Sequence, residues 1–180
     1  MMTVEQAREL WASSEEIVSA QEVQDSLDRM ASEITDKMGN DFPLVLSVMG
    51  GAVVFTGMLL PKLQFPLEFD YIHLSRYNNK TVGGEMQWRV APRESVKDRV
   101  VLVLDDILDE GETMAAIRQR IMDMGAKEFH AAVLCEKTLT KLKPMHPDFC
   151  GFKVPDRYVF GCGMDVKGYW RNLGAIRALV

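Results

Sequence analysis

The chain has 180 residues, 47% of them apolar and 26% charged, with a formal net charge of −5. This is the profile of an ordinary globular protein long enough for one domain with a sizeable core. The acidic balance argues against an extended nucleic-acid or anionic-membrane surface, but leaves small anions within reach of local N–H groups, lysines, arginines or Mg²⁺.

The opening segment Met1-Met2-Thr3-Val4-Glu5 has no basic or apolar leader pattern, and a reducing cytoplasm is expected. Cys135, Cys150 and Cys162 are odd in number and lack Cys-x-x-Cys spacing, while His73, His130 and His146 are scattered. Neither set suggests a disulfide framework or a zinc site. Residues 3–11 read as a short helix. Residues 22–38 read as a longer one, with Val23, Leu27, Met30, Ile34 and Met38 on one face and Gly39-Asn40 as its stop.

Residues 43–61 carry no charge and have the length of a membrane span. Gly50, Gly51, Gly57, Ser47, Thr56 and a proline at each end favour another reading: a buried strand over 43–48, a glycine turn, and a helix over 52–60. The turn Met49-Gly50-Gly51 either packs tightly for its own sake or aims backbone N–H groups at an anion. A second strand is expected over 67–74. The polar stretch 75–86, with Gly83-Gly84, predicts a mobile, hairpin-like loop. Residues 87–90 return as a strand, and 91–98 form a polar connection.

The run Val100-Val101-Leu102-Val103-Leu104 predicts a fully buried parallel strand, ended by Asp105 and Asp106. A tight segment, Asp109-Glu110-Gly111-Glu112-Thr113, then opens a helix with Met114, Ile117, Ile121 and Met124 on one face and Gly125 as its stop. In an open α/β sheet, ligands sit beyond the carboxyl ends of strands. A turn there that opens a helix aims N–H groups at an anion; Gly111 permits the turn and the Thr113 hydroxyl can join the cradle. Asp105 and Asp106 could face a ribose or a metal. The bland alternative is a surface turn with solvated acids.

Residues 128–135 read as another buried strand, with Glu136-Lys137-Thr138 at its carboxyl end on the same edge as the phosphate turn. Residues 141–146 form a basic, proline-broken loop, and 147–155 show little helical periodicity. Tyr158 to Phe160 read either as a core strand or as a Tyr158 ring placed for stacking. Arg171 alone reads as a surface charge.

The string 100–114 resembles the phosphoribosyl-pyrophosphate (PRPP) binding motif of type I phosphoribosyltransferases. Within them the chain looks most like the hypoxanthine-guanine phosphoribosyltransferases, over roughly residues 44–174. The resemblance implies one α/β domain over 1–180: a mainly parallel sheet flanked by helices, with its core about 40–140. A small hood would come from the carboxyl-terminal region and part of the amino-terminal chain. It also implies Mg²⁺-dependent transfer of phosphoribose from PRPP to N9 of hypoxanthine or guanine, giving IMP or GMP and pyrophosphate, in a homodimer or homotetramer.

The resemblance assigns roles as well. Asp109 is the general base at purine N7. Asp105 and Asp106 hold the ribose hydroxyls, and Asp109, Glu110, Gly111, Glu112 and Thr113 hold the 5-phosphate. Met49, Gly50, Gly51 and Arg171 contact pyrophosphate; the family often carries Lys where Met49 stands, so backbone contacts are expected there, at a strained peptide. Arg76 and Tyr77 stand for the Ser-Tyr pair of the family's closing loop. Lys137 reads the 6-oxo group, and Tyr158, Val159 and Asp165 complete the purine site. Asp165, with Asp105 and Asp106, faces magnesium.

The alternatives are a xanthine-guanine or hypoxanthine-only relative and, from another class, a non-catalytic PRPP- or nucleotide-sensing regulator on the same fold. The regulator would need a nucleic-acid surface or an added DNA-binding domain. A P-loop NTPase lacks its Gly-x-x-x-x-Gly-Lys-[Ser/Thr] string here.

Overall fold

The computed structural model describes residues 2–76 and 86–180. Its apolar runs become the middle of a six-stranded sheet. The strands are β2 (Leu44–Val48), β3 (Glu68–Arg76), β4 (Met86–Val90), β5 (Val100–Leu108), β6 (Glu128–Lys137) and β7 (Phe149–Val154), in the order β4-β3-β2-β5-β6-β7. All pairings are parallel except the antiparallel edge strand β4. Side chains alternate across a strand, so a run without polar residues requires cover on both faces. Leu102 and Leu104 face one core with Leu27, Met30 and Ile34 of helix α2 (Ala20–Met38) and Phe55 and Leu59 of α3 (Val53–Leu59). Val101 and Val103 face the other core, with Met114, Ile117 and Ile121 of α4 (Glu112–Asp123).

Local signals set the helix ends. Ser19 and Glu22 form a capping box at the start of α2, and Thr3 and Gln6 form one at the start of α1 (Val4–Ala12). Gly39 ends α2. No described helix is long and apolar enough to cross a membrane.

A smaller antiparallel sheet, ordered β1-β9-β8, joins the two ends of the chain through β1 (Glu15–Val18), β8 (Val159–Phe160) and β9 (Ile176–Ala178). Three contacts fasten α1 to the carboxyl-terminal loop. Tyr169 Oη donates to the Met2 carbonyl at 3.0 Å, Trp170 Nε1 donates to the Ala7 carbonyl at 2.8 Å, and the Trp11 and Trp170 rings lie 6.5 Å apart.

The structure departs from the sequence reading in four places. Strand β5 does not end at Asp105: it runs on to Leu108, because β6 supplies pairing partners as far as Leu108↔Glu136. Strand β6 correspondingly reaches Lys137. The stretch 147–155, read only as lacking helical periodicity, supplies β7 to the edge of the large sheet. Strand β1 was not expected at all. Arg76 ends β3, and Tyr77, its expected partner in the closing loop, lies outside the described residues.

Candidate active site

The site gathers at the carboxyl ends of β5 and β6, where parallel strands leave side chains and backbone groups beyond the helices. Gly111, in the left-handed conformation at φ 82°, is the N-cap of α4, and no side chain caps the helix there. The turn 109–113 therefore delivers an α-helix N-terminus to an opening of about 90 Å³, lined by Asp105, Ile107, Asp109, Glu110, Gly111 and Thr113 among others. A helix N-terminus of this kind favours an anion through its N–H groups and its dipole.

Asp105 and Asp106 lie on the strand rather than after it, and their carboxyl groups are hydrogen-bonded to each other. Asp105 lines the helix-terminus opening. Asp106 lines a second cavity of about 240 Å³, shared with Ile107, Asp109, Lys137, Tyr158, Val159, Met164 and Asp165. Burial pushes the Asp105 carboxyl well up, and the Asp106 charge pushes it further. Burial also raises Asp106, against the lowering effects of the hydrogen bond with the Asp105 side chain, the N–H of Ile107 and the Arg171 charge.

The second cavity has a donor and an acceptor side by side. Lys137 Nζ lies 2.9 Å from Asp109 Oδ2 and 3.7 Å from Asp156 Oδ1. The Tyr158 ring, half exposed, and the buried Val159 line the same cavity.

Three backbone segments interlock behind the acids. A Cβ on Gly51 would collide with the Asp106 carboxylate, and one on Gly163 would collide with the Gly51 carbonyl. Gly163 also sits at φ 104°, a conformation that side chains resist. The Met49–Gly50 peptide is cis. Arg171 Nη1 donates to the Gly163 carbonyl at 2.6 Å, the Gly163 N–H donates to the Arg171 carbonyl at 2.8 Å, and Arg171 Nη2 lies 2.6 Å from Asp165 Oδ1. The other Asp165 oxygen accepts from the Gly168 N–H at 2.7 Å. Arg171, read alone as a surface charge, is thus tied to Gly163 and Asp165.

Among the described residues no three His, Cys, Asp or Glu side chains converge as a metal cage. The donor chemistry nonetheless fits a hard divalent cation held by one or two carboxylates plus substrate oxygens. The Asp105–Asp106 pair is two crowded acids whose charge a cation would offset, and Asp165 lines the adjoining cavity.

The expected residues 49–51, 105, 106, 109–113, 137, 158, 159, 165 and 171 all lie along this one edge of the fold. Sequence reasoning missed Gly163 and Asp156. Gly163 follows Gly161 by two residues, a spacing that marks unusual backbone, but its contact with Gly51 is set by tertiary structure.

Comparison with known proteins shows the family of the chain. The family described as "Phosphoribosyl transferase domain" matches residues 13–167. The hypoxanthine-guanine phosphoribosyltransferase of Bacillus subtilis (strain 168) is 32% identical over 164 residues, 91% of each chain. The hypoxanthine-guanine-xanthine phosphoribosyltransferase of Tritrichomonas foetus is 33% identical over 159 residues, 88% of this chain and 87% of that one. A crystal structure of a hypoxanthine phosphoribosyltransferase from Staphylococcus aureus superimposes with a TM-score of 0.88 over 100% of this chain and 97% of that one; at 22% identity it speaks to the fold.

Proposed function

The chain belongs to the phosphoribosyl transferase family and, within it, to the hypoxanthine-guanine phosphoribosyltransferases, and from that premise we propose how its residues divide the work. The activity is purine salvage: phosphoribosyl transfer to hypoxanthine or guanine. The donor is PRPP, with its 5-phosphate on the N-terminus of α4 and the 109–113 turn. Asp105 and Asp106 take the ribose hydroxyls. The Met49-Gly50-Gly51 backbone and Arg171 take the pyrophosphate.

One observation carries the assignment of the base. The Lys137 ammonium and the Asp109 carboxylate lie 2.9 Å apart at the wall of one cavity. A 6-oxopurine presents O6, an acceptor, next to N7, which carries a proton during reaction. Lys137 donates to O6, and Asp109 accepts the proton from N7. The Tyr158 ring stacks on the base. Val159 main-chain groups and Asp165 meet its far edge.

As the C1–O bond opens, negative charge grows on the leaving pyrophosphate, and Arg171, held in place by Gly163 and Asp165, stabilises it. Mg²⁺ held by Asp105, Asp106 or Asp165 together with substrate oxygens would neutralise charge on the pyrophosphate. Arg76 and Tyr77 are assigned to a loop that closes over the reactants and excludes water. The small sheet β1-β9-β8, with α1 fastened to its carboxyl-terminal loop, is assigned as the hood. Three free thiols, two of them buried, suit a reducing compartment such as the cytoplasm.

Product analysis tests this reading. The protein is incubated with PRPP, Mg²⁺ and hypoxanthine, guanine, xanthine or adenine separately. Formation of IMP and GMP with release of pyrophosphate supports it, and PRPP binding without turnover on any base points instead to a sensing regulator.

A further inference from the structure

We propose that Lys143 is a positioning residue that sets the separation between Lys137 and Asp109. The inference rests on the reading that these two side chains meet the oxopurine edge. Lys143 falls in a basic, proline-broken stretch, where a lysine is ordinarily a solvated charge. Here its side chain is only 5% exposed. Its ammonium reaches three acceptors: the Lys137 carbonyl at 2.5 Å, the Glu136 carboxylate at 3.3 Å and the Leu108 carbonyl at 3.4 Å. Three N–H donors meet three acceptors, so the group is fully used.

The place of these acceptors gives the contact its meaning. The β5–β6 ladder ends at the pair Leu108↔Glu136. Lys137 stays paired with Val154 of β7, whereas Asp109 lies just beyond the end of β5. Lys143 binds the carbonyl of Lys137 itself and the carbonyl just before Asp109. It therefore adds a side-chain tie across the two strand ends, while lying outside the cavity that Lys137 and Asp109 line.

The counter-charge is also fixed. Glu136 is 6% exposed and accepts a 2.6 Å hydrogen bond from His146 Nδ1. Burial pushes the Glu136 carboxyl up, but the His146 hydrogen bond and the Lys143 ammonium outweigh it and hold the carboxyl below its usual range. A buried anion beside a buried cation makes the contact specific to a charged donor at position 143. Removing the ammonium takes one donor from each of two strand-end carbonyls and from the Glu136 carboxylate, and loosens the tie between Leu108 and Lys137.

The test is steady-state kinetics on the full chain carrying Lys143→Met, Lys143→Gln, Lys143→Arg, Lys137→Ala, and the Lys137→Ala/Lys143→Met pair. Lys143→Met should raise the KM for hypoxanthine about 10-fold or more and change the KM for PRPP by less than about 3-fold. Lys143→Arg, which keeps the charge and the donors, should recover part of the loss. In the Lys137→Ala background, Lys143→Met should add no further change in base KM, because the residue through which it acts is gone. Lys143→Gln is held to the same criteria should Lys143→Met not fold.

An unchanged base KM in a folded Lys143 variant overturns the proposal, as do effects that simply add to those of Lys137→Ala. Failure of both Lys143→Met and Lys143→Gln to fold also overturns it, by assigning Lys143 to stability alone. If Lys137→Ala itself leaves base use unchanged, the base-reading assignment is what fails, and the two failures are thereby distinguished.

Discussion

Lys137 and Asp109 face each other at 2.9 Å from the ends of two adjacent parallel strands. In the proposed mechanism each exchanges this partner for the base, Lys137 for its C6 oxygen and Asp109 for its N7 proton. Asp109→Asn keeps the shape but loses the acceptor for the N7 proton. Its kcat should fall about 10²- to 10⁴-fold, with PRPP affinity little changed. Single-turnover rates and PRPP binding by calorimetry check this, and turnover near the wild-type rate would remove Asp109 from the chemistry.

The contact of Gly163 with Gly51 yields a prediction about stability and binding together. Gly163→Ala places a methyl group against the Gly51 carbonyl at a φ of 104°. Strain of this kind costs about 1–3 kcal/mol. The variant should unfold at lower denaturant concentration and show a raised KM for PRPP, because the Met49-Gly50-Gly51 backbone must move. Wild-type stability together with an unchanged PRPP KM would show that the interlock is slack.

Asp105 makes the stability of the chain depend on pH. Burial and the Asp106 charge raise its carboxyl well above the ordinary range. An acid with a raised pKa in the folded state binds its proton more tightly there than when unfolded. Stability therefore falls as pH rises from the ordinary carboxylate range through the raised value, and stays reduced above it. Asp105→Asn removes that penalty. In EDTA buffer without substrate, its Tm should exceed that of the wild type at about pH 8, and the gap should close below about pH 4. Glu136 has the opposite sign, since its lowered carboxyl contributes stability that is lost as pH falls through its folded pKa. A constant gap at all pH values would contradict the assignment to Asp105 ionisation.

Much of the site was legible because the chemistry sits in local strings. Val100 to Leu104 announces a buried strand, and Gly111 announces the turn that opens a helix. What was not legible depends on partners far away in sequence. Asp105 and Asp106 look like a strand terminus, yet β6 extends the ladder past them to Leu108↔Glu136. Glu15 and Glu16 carry no strand signal of their own, yet β9 pairs with them, with Arg157 on Glu15 and Arg177 on Glu16. Lys143 looks like one charge in a basic loop, and only the fold buries it between two strand ends.

Metal dependence follows from the donor set. With no cage among the described residues, a divalent ion should bind weakly to the free chain and tightly only in company with substrate oxygens. EDTA should abolish turnover, and added Mg²⁺ should restore it. Full activity after chelation and dialysis would rule out this requirement.

Base choice tests the central claim most directly. The Lys137 ammonium donates and cannot accept, so it suits the C6 oxygen of hypoxanthine and guanine and opposes the amino group of adenine. Sites that pair a polar substrate group reject a mismatched analogue by roughly 10⁴-fold. The measurement is kcat/KM for hypoxanthine, guanine, xanthine and adenine, with PRPP and Mg²⁺ saturating, in wild type and in Lys137→Ala. The wild type should use hypoxanthine and guanine and scarcely use adenine. Lys137→Ala should lose oxopurine efficiency while PRPP binding is retained. Efficient adenine use by the wild type, or an unchanged oxopurine kcat/KM in Lys137→Ala, would contradict the account.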